Sequence, residues 1–468
     1  MQRLTGRLTA AAAGPLPVDL PGAASDDAAG DARQPTLTVP MKTTTATTAS
    51  TDNRADNLQV DGLRLWQRLM ELARIGATDK GGVCRLALSE LDGEARALFT
   101  RWAQDLGCSV RVDAIGNLFA RRAGSDDTLP AVATGSHIDT QPTGGKFDGN
   151  YGVLAGLEVL QTLNDAGIRT RAPLEVCVWT NEEGSRFVPV MMGSGVYAGA
   201  FTLAHALAAT DADGIRVDEA LIAIRQAGAA PAAVADGAPR FGAYFEAHIE
   251  QGPVLEDAGI TIGAVTGALG QRWYDITVTG MEAHAGPTPM GLRRDALLAA
   301  ALLVQRVNKI AMAEQPHARG TVGSLTVFPG SRNTIPGRVR FTVDLRHASD
   351  AGLTRMDAAL RTAVAAASSS GTQIQIEPVV YYPPQAFDSG LVDSVRQAAR
   401  AAHLSVMDVV SGAGHDAVYV ARTAPAAMIF VPCKDGISHN EIEDAKPEHL
   451  GAGANVLLRV MLASAGQA

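Results

Sequence analysis

The stretch at residues 131–152, AVATGSHIDTQPTGGKFDGNYG, decides the fold. It opens as a hydrophobic strand and breaks into polar residues at His137 and Asp139, then reaches a helical pattern over 151–166. Open α/β sheets bind ligands just beyond the ends of such strands. Asp139 stands two residues from His137 and can take the proton of its second ring nitrogen, fixing the tautomer. Glycines 144, 145 and 149 let the loop turn back and present Asp148, a carboxylate able to bridge two cations. The competing reading is a Gly-rich surface turn with an incidental histidine.

Working outward, β-like runs over 108–112, 116–121, 129–135, 173–180 and 242–250 alternate with amphipathic helices over 61–76 and 88–105. Leu63, Leu65, Leu69 and Leu72 mark the apolar face of the first helix. This alternation predicts an α/β domain, a mixed sheet covered by helices. A second pattern starts near Gly267: the strand GQRWYDITVTG, a helix over 291–313, the strands TVGSLTVFPG and GRVRFTVDLRH, a helix over 351–369 and a strand over 373–380. That β-α-β-β-α-β order is ferredoxin-like. The expected organisation is a tail over 1–52, a catalytic domain over 53–266 and 383–468, and an inserted α+β domain over 267–382.

Three further segments carry acids and histidines at strand ends. In LEVCVWTNEEGSRF (174–187), Glu182 and Glu183 follow a buried strand, where adjacent acids are costly unless a positive charge sits between them. One can ligate while the other accepts a proton. In YFEAHIEQGPVLE (244–256), strand alternation puts Glu246, His248 and Glu250 on one face, solvated or lining a site. In KDGISHNEIE (434–443), His439 follows the strand-like IFVPC. Each has a plainer reading as an acidic loop or a surface histidine. Together His137, Asp148, Glu183, His248 and His439 can hold two divalent cations without cysteine. Nitrogen and oxygen ligands suit Zn²⁺, with Mn²⁺, Co²⁺ or Ni²⁺ as substitutes. His284, in the Gly/Pro-bounded GMEAHAGPTPMGLRRDA, can donate to an oxyanion if it reaches the metals. Asn333 and Arg346 follow β-like segments, and an arginine fork reads a carboxylate; the alternative for Arg346 is a structural ion pair.

Composition narrows the function classes. With 468 residues, 46% hydrophobic and 19% charged, the chain is long enough for two or three domains. A net charge of −9 without a Lys/Arg cluster argues against nucleic acid. Four scattered cysteines, Cys84, Cys108, Cys177 and Cys433, fit a reducing compartment. No secretory signal is evident, and no apolar run reaches the ~20 residues of a membrane span, so a cytoplasmic protein is expected. Residues 1–52 lack a sustained period, and Met41, opening MKTTTATTASTD, is a candidate physiological start.

Taken in order, GSHIDTQPTGGKFDG, TNEEGSRF, EAHIEQGP, EAHAGPTPM, SRNTIPG, DLR and GISHNE resemble the aminoacylase/carboxypeptidase-type (M20-type) dinuclear metallohydrolases. Within these the chain is similar, over about residues 60–465, to the branch of N-carbamoyl-L-amino-acid hydrolase, β-ureidopropionase and allantoate amidohydrolase. The resemblance implies that His137, Asp148 and His248 hold one metal and Asp148, Glu183 and His439 the other. It makes Glu182 the general base, Gln251 and Asn333 substrate contacts, Arg346 the carboxylate reader and His284 an oxyanion donor reaching a partner subunit's site. It further implies a homodimer formed through the inserted domain. The expected substrate is a small N-carbamoyl amino acid, cleaved to amino acid, ammonia and CO₂. The TQPTGGKFDG loop resembles β-ureidopropionase and some carbamoyl-amino-acid hydrolases more than allantoate enzymes, and allantoate is the near alternative. A dipeptidase or aminoacylase would use the same metals, and a non-catalytic binding protein would have lost a ligand or the base.

Overall fold

Four parallel strands form the centre of a nine-stranded mixed sheet: Leu174–Trp179, Val132–His137, Ala243–Ile249 and Ala426–Val431. The computed structural model describes residues 57–368 and 371–468. The tail expected over 1–52 and the candidate start at Met41 lie outside the described residues. Every residue of the four central strands is buried, as expected of parallel strands covered on both faces. Antiparallel strands extend the sheet on one side through Leu118–Arg122 to Ser109–Val112. On the other side Ile262–Ala268 pairs with Ala426–Val431, with Val406–Ser411 and with Gln385–Ala386.

Helices Gly62–Leu72, Asn150–Asp165 and Pro447–Ala465 pack on one another, the last two also against the sheet. Asp61 caps the first, accepting the backbone N–H groups of Leu63 and Arg64. Leu65, Leu69 and Leu72 are buried, whereas Leu63, expected on the same face, is 66% exposed. Two residues of helix turn it about 200° from Leu65, off the i, i+4, i+7 stripe.

Residues from Gly270 to Tyr382 build a separate five-stranded antiparallel sheet. Gly270–Thr279 lies between Arg338–His347 and Gln373–Tyr382, and both Leu325–Phe328 and Ala318–Thr321 pair with Arg338–His347. With helices Ala296–Ala313 and Asp350–Ser368 this is the β-α-β-β-α-β order read from the sequence, its second strand split in two. The first helix begins later than its apolar pattern. Asp295 caps it at Ala296, and Met290–Leu292 form a short 3₁₀ turn instead. Ala296–Ala313 is long and apolar enough, by length and composition, to cross a membrane. Here Ala299, Ala300, Leu303 and Val307 join Ile276, Val343 and Leu360 in the core of this sheet. A groove of about 680 Å³ runs between the two helices, with Leu302 among its exposed apolar residues.

Candidate metal centre

The C-terminal ends of the four parallel strands share one edge: His137 pairs in register with Trp179, and Ile249 with Val431. His137 is the last residue of its strand rather than lying beyond it. The Trp179 strand passes through Asn181, which has a positive φ, into Glu182 and Glu183. The Ile249 strand supplies His248, and a 3₁₀ turn after the Val431 strand leads to His439. Strand polarity thus gathers residues from across some 300 positions of sequence, which is why the histidine candidates stood on or past β-like runs.

Asp148 stands between two groups. Its Oδ1 is 3.3 Å from His248 Nε2 and 3.7 Å from His137 Nε2. Its Oδ2 is 3.4 Å from His439 Nε2, which is 3.3 Å from Glu183 Oε2. His137, Asp148 and His248 form one set of ligand atoms, all within 4.8 Å of one another, and Asp148, Glu183 and His439 another. The Nδ1 atoms of His137 and His248 meet backbone carbonyls, of Asp139 at 2.9 Å and Ile249 at 2.8 Å. Those bonds turn both Nε2 atoms toward Asp148, the orientation a metal-ligating histidine needs.

The charge balance is one-sided. Burial, then Asp148, pushes Glu183 up to about 8. Burial, with Asp416, Glu183, Asp139 and Asp148 adding to it, holds Glu182 well above the usual carboxylate range. Burial also opposes ionisation of Asp148, yet hydrogen bonds from His248 and His439 hold its pKa well below the usual value. Among the described residues, the ion-pair partners of these three carboxylates are histidines alone. Clustered, buried carboxylates with imidazole nitrogens and no lysine or arginine are a donor set that a divalent cation would balance. The residues present therefore fit a metal centre.

The surroundings hold this set in place, and several of them were not singled out in the sequence. Gly149 has φ +65°, and a Cβ there would come within 2.4 Å of the His137 ring. Glu443 Oε1 accepts the backbone N–H groups of Phe147 and Asp148, while Ser438 Oγ contacts both Glu443 Oε2 and Asp148 Oδ2 at 2.8 Å. Gln141 Nε2 donates to Glu183 Oε2 at 2.8 Å. Asp139 departs from its expected role. Its backbone carbonyl, not its carboxylate, meets His137 Nδ1, and the carboxylate accepts the backbone N–H groups of Glu182 and Glu183. The chain turns sharply after the strand, so the carbonyl is the nearer acceptor and the side chain ties the two loops together. Behind the cluster, the ring of His415 packs on His248 with centroids 4.6 Å apart, and Glu246 accepts from Ser136 Oγ and Ala417 N. Glu246 and His248 are thus buried, whereas Glu250 on the same alternation caps the turn at Val254 and Leu255. A Gly-flanked His-Asp pair after a strand, GAGHDA, was the available signal for His415.

The remaining candidates divide. Gln251 joins the centre, its Nε2 donating to Asp148 Oδ2 at 2.8 Å while its buried Oε1 has no partner. No hydrogen bond or ion pair among the described residues joins His284, Asn333 or Arg346 to the cluster. His284 sits on a two-residue strand paired with Thr334–Ile335, beside Asn333. Gly286 N–H donates to His284 Nδ1, which leaves the ring proton on Nε2. Arg346 pairs with Asp344 on its own strand, Nη2 to Oδ2 at 2.8 Å.

Comparison with known proteins agrees with this geometry. Residues 133–463 match the model of peptidase family M20/M25/M40. An N-carbamoyl-L-amino-acid amidohydrolase of Rhizobium meliloti is 47% identical over 412 residues, covering 88% of this chain and 98% of that protein. A ureidoglycolate hydrolase of Arabidopsis thaliana is 35% identical, covering 86% and 87%. The crystal structure of a hydantoinase/carbamoylase family amidase from Burkholderia multivorans superposes with a TM-score of 0.85 at 57% identity, covering 87% and 98%. With His137, Asp148, Glu183, His248 and His439 gathered at one sheet edge and the match spanning them, the chain belongs to peptidase family M20/M25/M40.

Proposed function

We propose that this protein is a metal-dependent amidohydrolase that cleaves the ureido C–N bond of N-carbamoyl amino acids to amino acid, ammonia and CO₂. The observation that carries the reading is Asp148 between two histidine–carboxylate groups, with Glu182 beside them. Relatives named N-carbamoyl-L-amino-acid amidohydrolase, matched along nearly their whole length, support the substrate class.

His137, Asp148 and His248 would hold one divalent cation and Asp148, Glu183 and His439 a second, with Zn²⁺ suited to the donors and Mn²⁺, Co²⁺ or Ni²⁺ as substitutes. Bound there, such cations would supply Lewis-acid polarisation of the ureido carbonyl and a lowered pKa for water. Glu182 accepts the proton of the attacking water as the new C–O bond forms, then returns it to the leaving nitrogen as the C–N bond breaks. Its Oε2 lies 3.5 Å from His137 Nε2, at the rim of the cluster. Gln251 Oε1, buried and unpartnered, is a ready acceptor for a ureido N–H. Arg346 binds the substrate carboxylate and Asn333 orients the ureido group. His284 Nε2–H donates to the developing oxyanion from a partner subunit. The exposed Leu302 and the groove beside it support a homodimer through the unit of residues 267–382, which acts as lid and dimerisation domain. Four free thiols, three of them buried, support a cytoplasmic setting.

The ureidoglycolate hydrolase relative favours a second reading in which the substrate is another ureido carboxylate. A panel of N-carbamoyl-β-alanine, several N-carbamoyl-L-amino acids, allantoate and ureidoglycolate, run on metal-loaded protein, separates the two. Highest kcat/KM on an N-carbamoyl amino acid is the expected result. Turnover of dipeptides or N-acyl amino acids with no ureido hydrolysis would overturn the proposal.

A further inference from the structure

Arg346 belongs to a row of side chains that crosses three paired strands. It stands in register with Gln271, and Gln271 with Tyr382. With the loop of residues 412–414 this row lines a small cavity of about 50 Å³. Arg346 is anchored there from one side. Asp344, two residues earlier on the same strand face, accepts from Nε at 3.0 Å and from Nη2 at 2.8 Å. The free end of the fork, Nη1, donates to the Gly412 carbonyl at 2.7 Å.

We propose that Asp344 is a positioning residue that presents Arg346 to substrate, and that the Gly412 carbonyl occupies the place a substrate carboxylate oxygen takes on Nη1. This rests on the reading above, in which Arg346 receives the substrate carboxylate. A free arginine has many rotamers, and one held through Nε and Nη2 has surrendered that freedom before substrate arrives. Asp344 also repels the incoming carboxylate. Both side chains of the pair are 29% exposed, however, so solvent screens that repulsion while the fork geometry persists. Orientation outweighs charge. Nothing lies within 4 Å of where a Cβ on Gly412 would stand, so the loop is open on that side.

The test is steady-state kinetics of the metal-loaded full chain on an N-carbamoyl-L-amino acid and on its carboxamide, which lacks the carboxylate. Asp344→Ala is expected to raise KM for the acid about tenfold, the worth of one oriented charged hydrogen bond, with kcat little changed. Asp344→Asn, whose amide oxygen still accepts from Nε and Nη2, recovers most of that loss. KM for the carboxamide stays at the wild-type value in both, and Asp344→Ala adds nothing in an Arg346→Ala background. The proposal is overturned if KM for the acid is unchanged in Asp344→Ala or falls in both variants, or if KM for the carboxamide rises equally. A wild type inactive on both compounds would overturn the substrate reading itself, and this proposal with it.

Discussion

The cluster around Asp148 is largely buried, whereas His284, Asn333 and Arg346, in the unit of residues 267–382, are exposed or half-exposed. Around Asp148, backbone carbonyls fix His137 and His248, Gln141 fixes Glu183, and Glu443 holds the Asp148 backbone. His137, Asp148 and His248 are buried, while His439 is half exposed and meets Asp148 and Glu183. His284 and Asn333 sit on an exposed two-stranded ribbon, and Arg346 rests on Asp344 and a loop carbonyl. Residues that must crowd like charges together need a rigid frame, because burial of unbalanced carboxylates is costly. His284, Asn333 and Arg346 crowd no like charges together, and they stay exposed or half-exposed.

That contrast can be broken most severely at Asp148. Asp148→Ala is expected to lose both cations and bring turnover to the background of the assay, read by metal content and activity on the same sample. Next comes Glu182→Gln, which should leave metal content unchanged while kcat falls about a thousandfold, the contribution of a general base. Retained turnover would remove Glu182 from that role. His284→Ala is expected to cost about a hundredfold in kcat, as loss of an oxyanion donor does, without changing metal content. Because His284 is assigned to the partner's site, mixing His284→Ala and Glu182→Gln subunits should restore part of the activity; no recovery would place His284 in its own subunit's site. The smallest effect is expected at Glu443. Glu443→Ala should weaken metal affinity about tenfold to a hundredfold by freeing the Asp148 loop, with turnover recovered in excess metal.

Much of the fold was legible because period and burial agree along the chain. The central strands, the long helices and the β-α-β-β-α-β order of the second sheet all follow from apolar spacing. What was not legible depends on geometry across the chain. The sequence shows Glu443 four residues from His439, but not that its partners are the backbone N–H groups of Phe147 and Asp148, some 295 positions away. Asp139 was expected to meet His137 through its carboxylate, and which of its oxygens makes the bond depends on the turn after the strand, which spacing does not encode. The short strands Ile262–Ala268 and Val406–Ser411 went unread because small and mixed residues blur the period of two. The candidate metal-binding residues were legible for a different reason: polar residues interrupt or follow apolar strands. His137 ends one strand and His248 stands next to last in another. Glu183 and His439 lie in the loops beyond two more, while Asp148 is reached through a Gly-rich loop.

The central claim is that ureido hydrolysis belongs to the cation-loaded cluster around Asp148. Titrating a divalent cation into chelator-stripped protein, while following turnover of an N-carbamoyl-L-amino acid, tests it most directly. The account predicts no turnover in the stripped protein and full activity as two equivalents per chain are taken up. Undiminished hydrolysis by protein verified free of metal would contradict it.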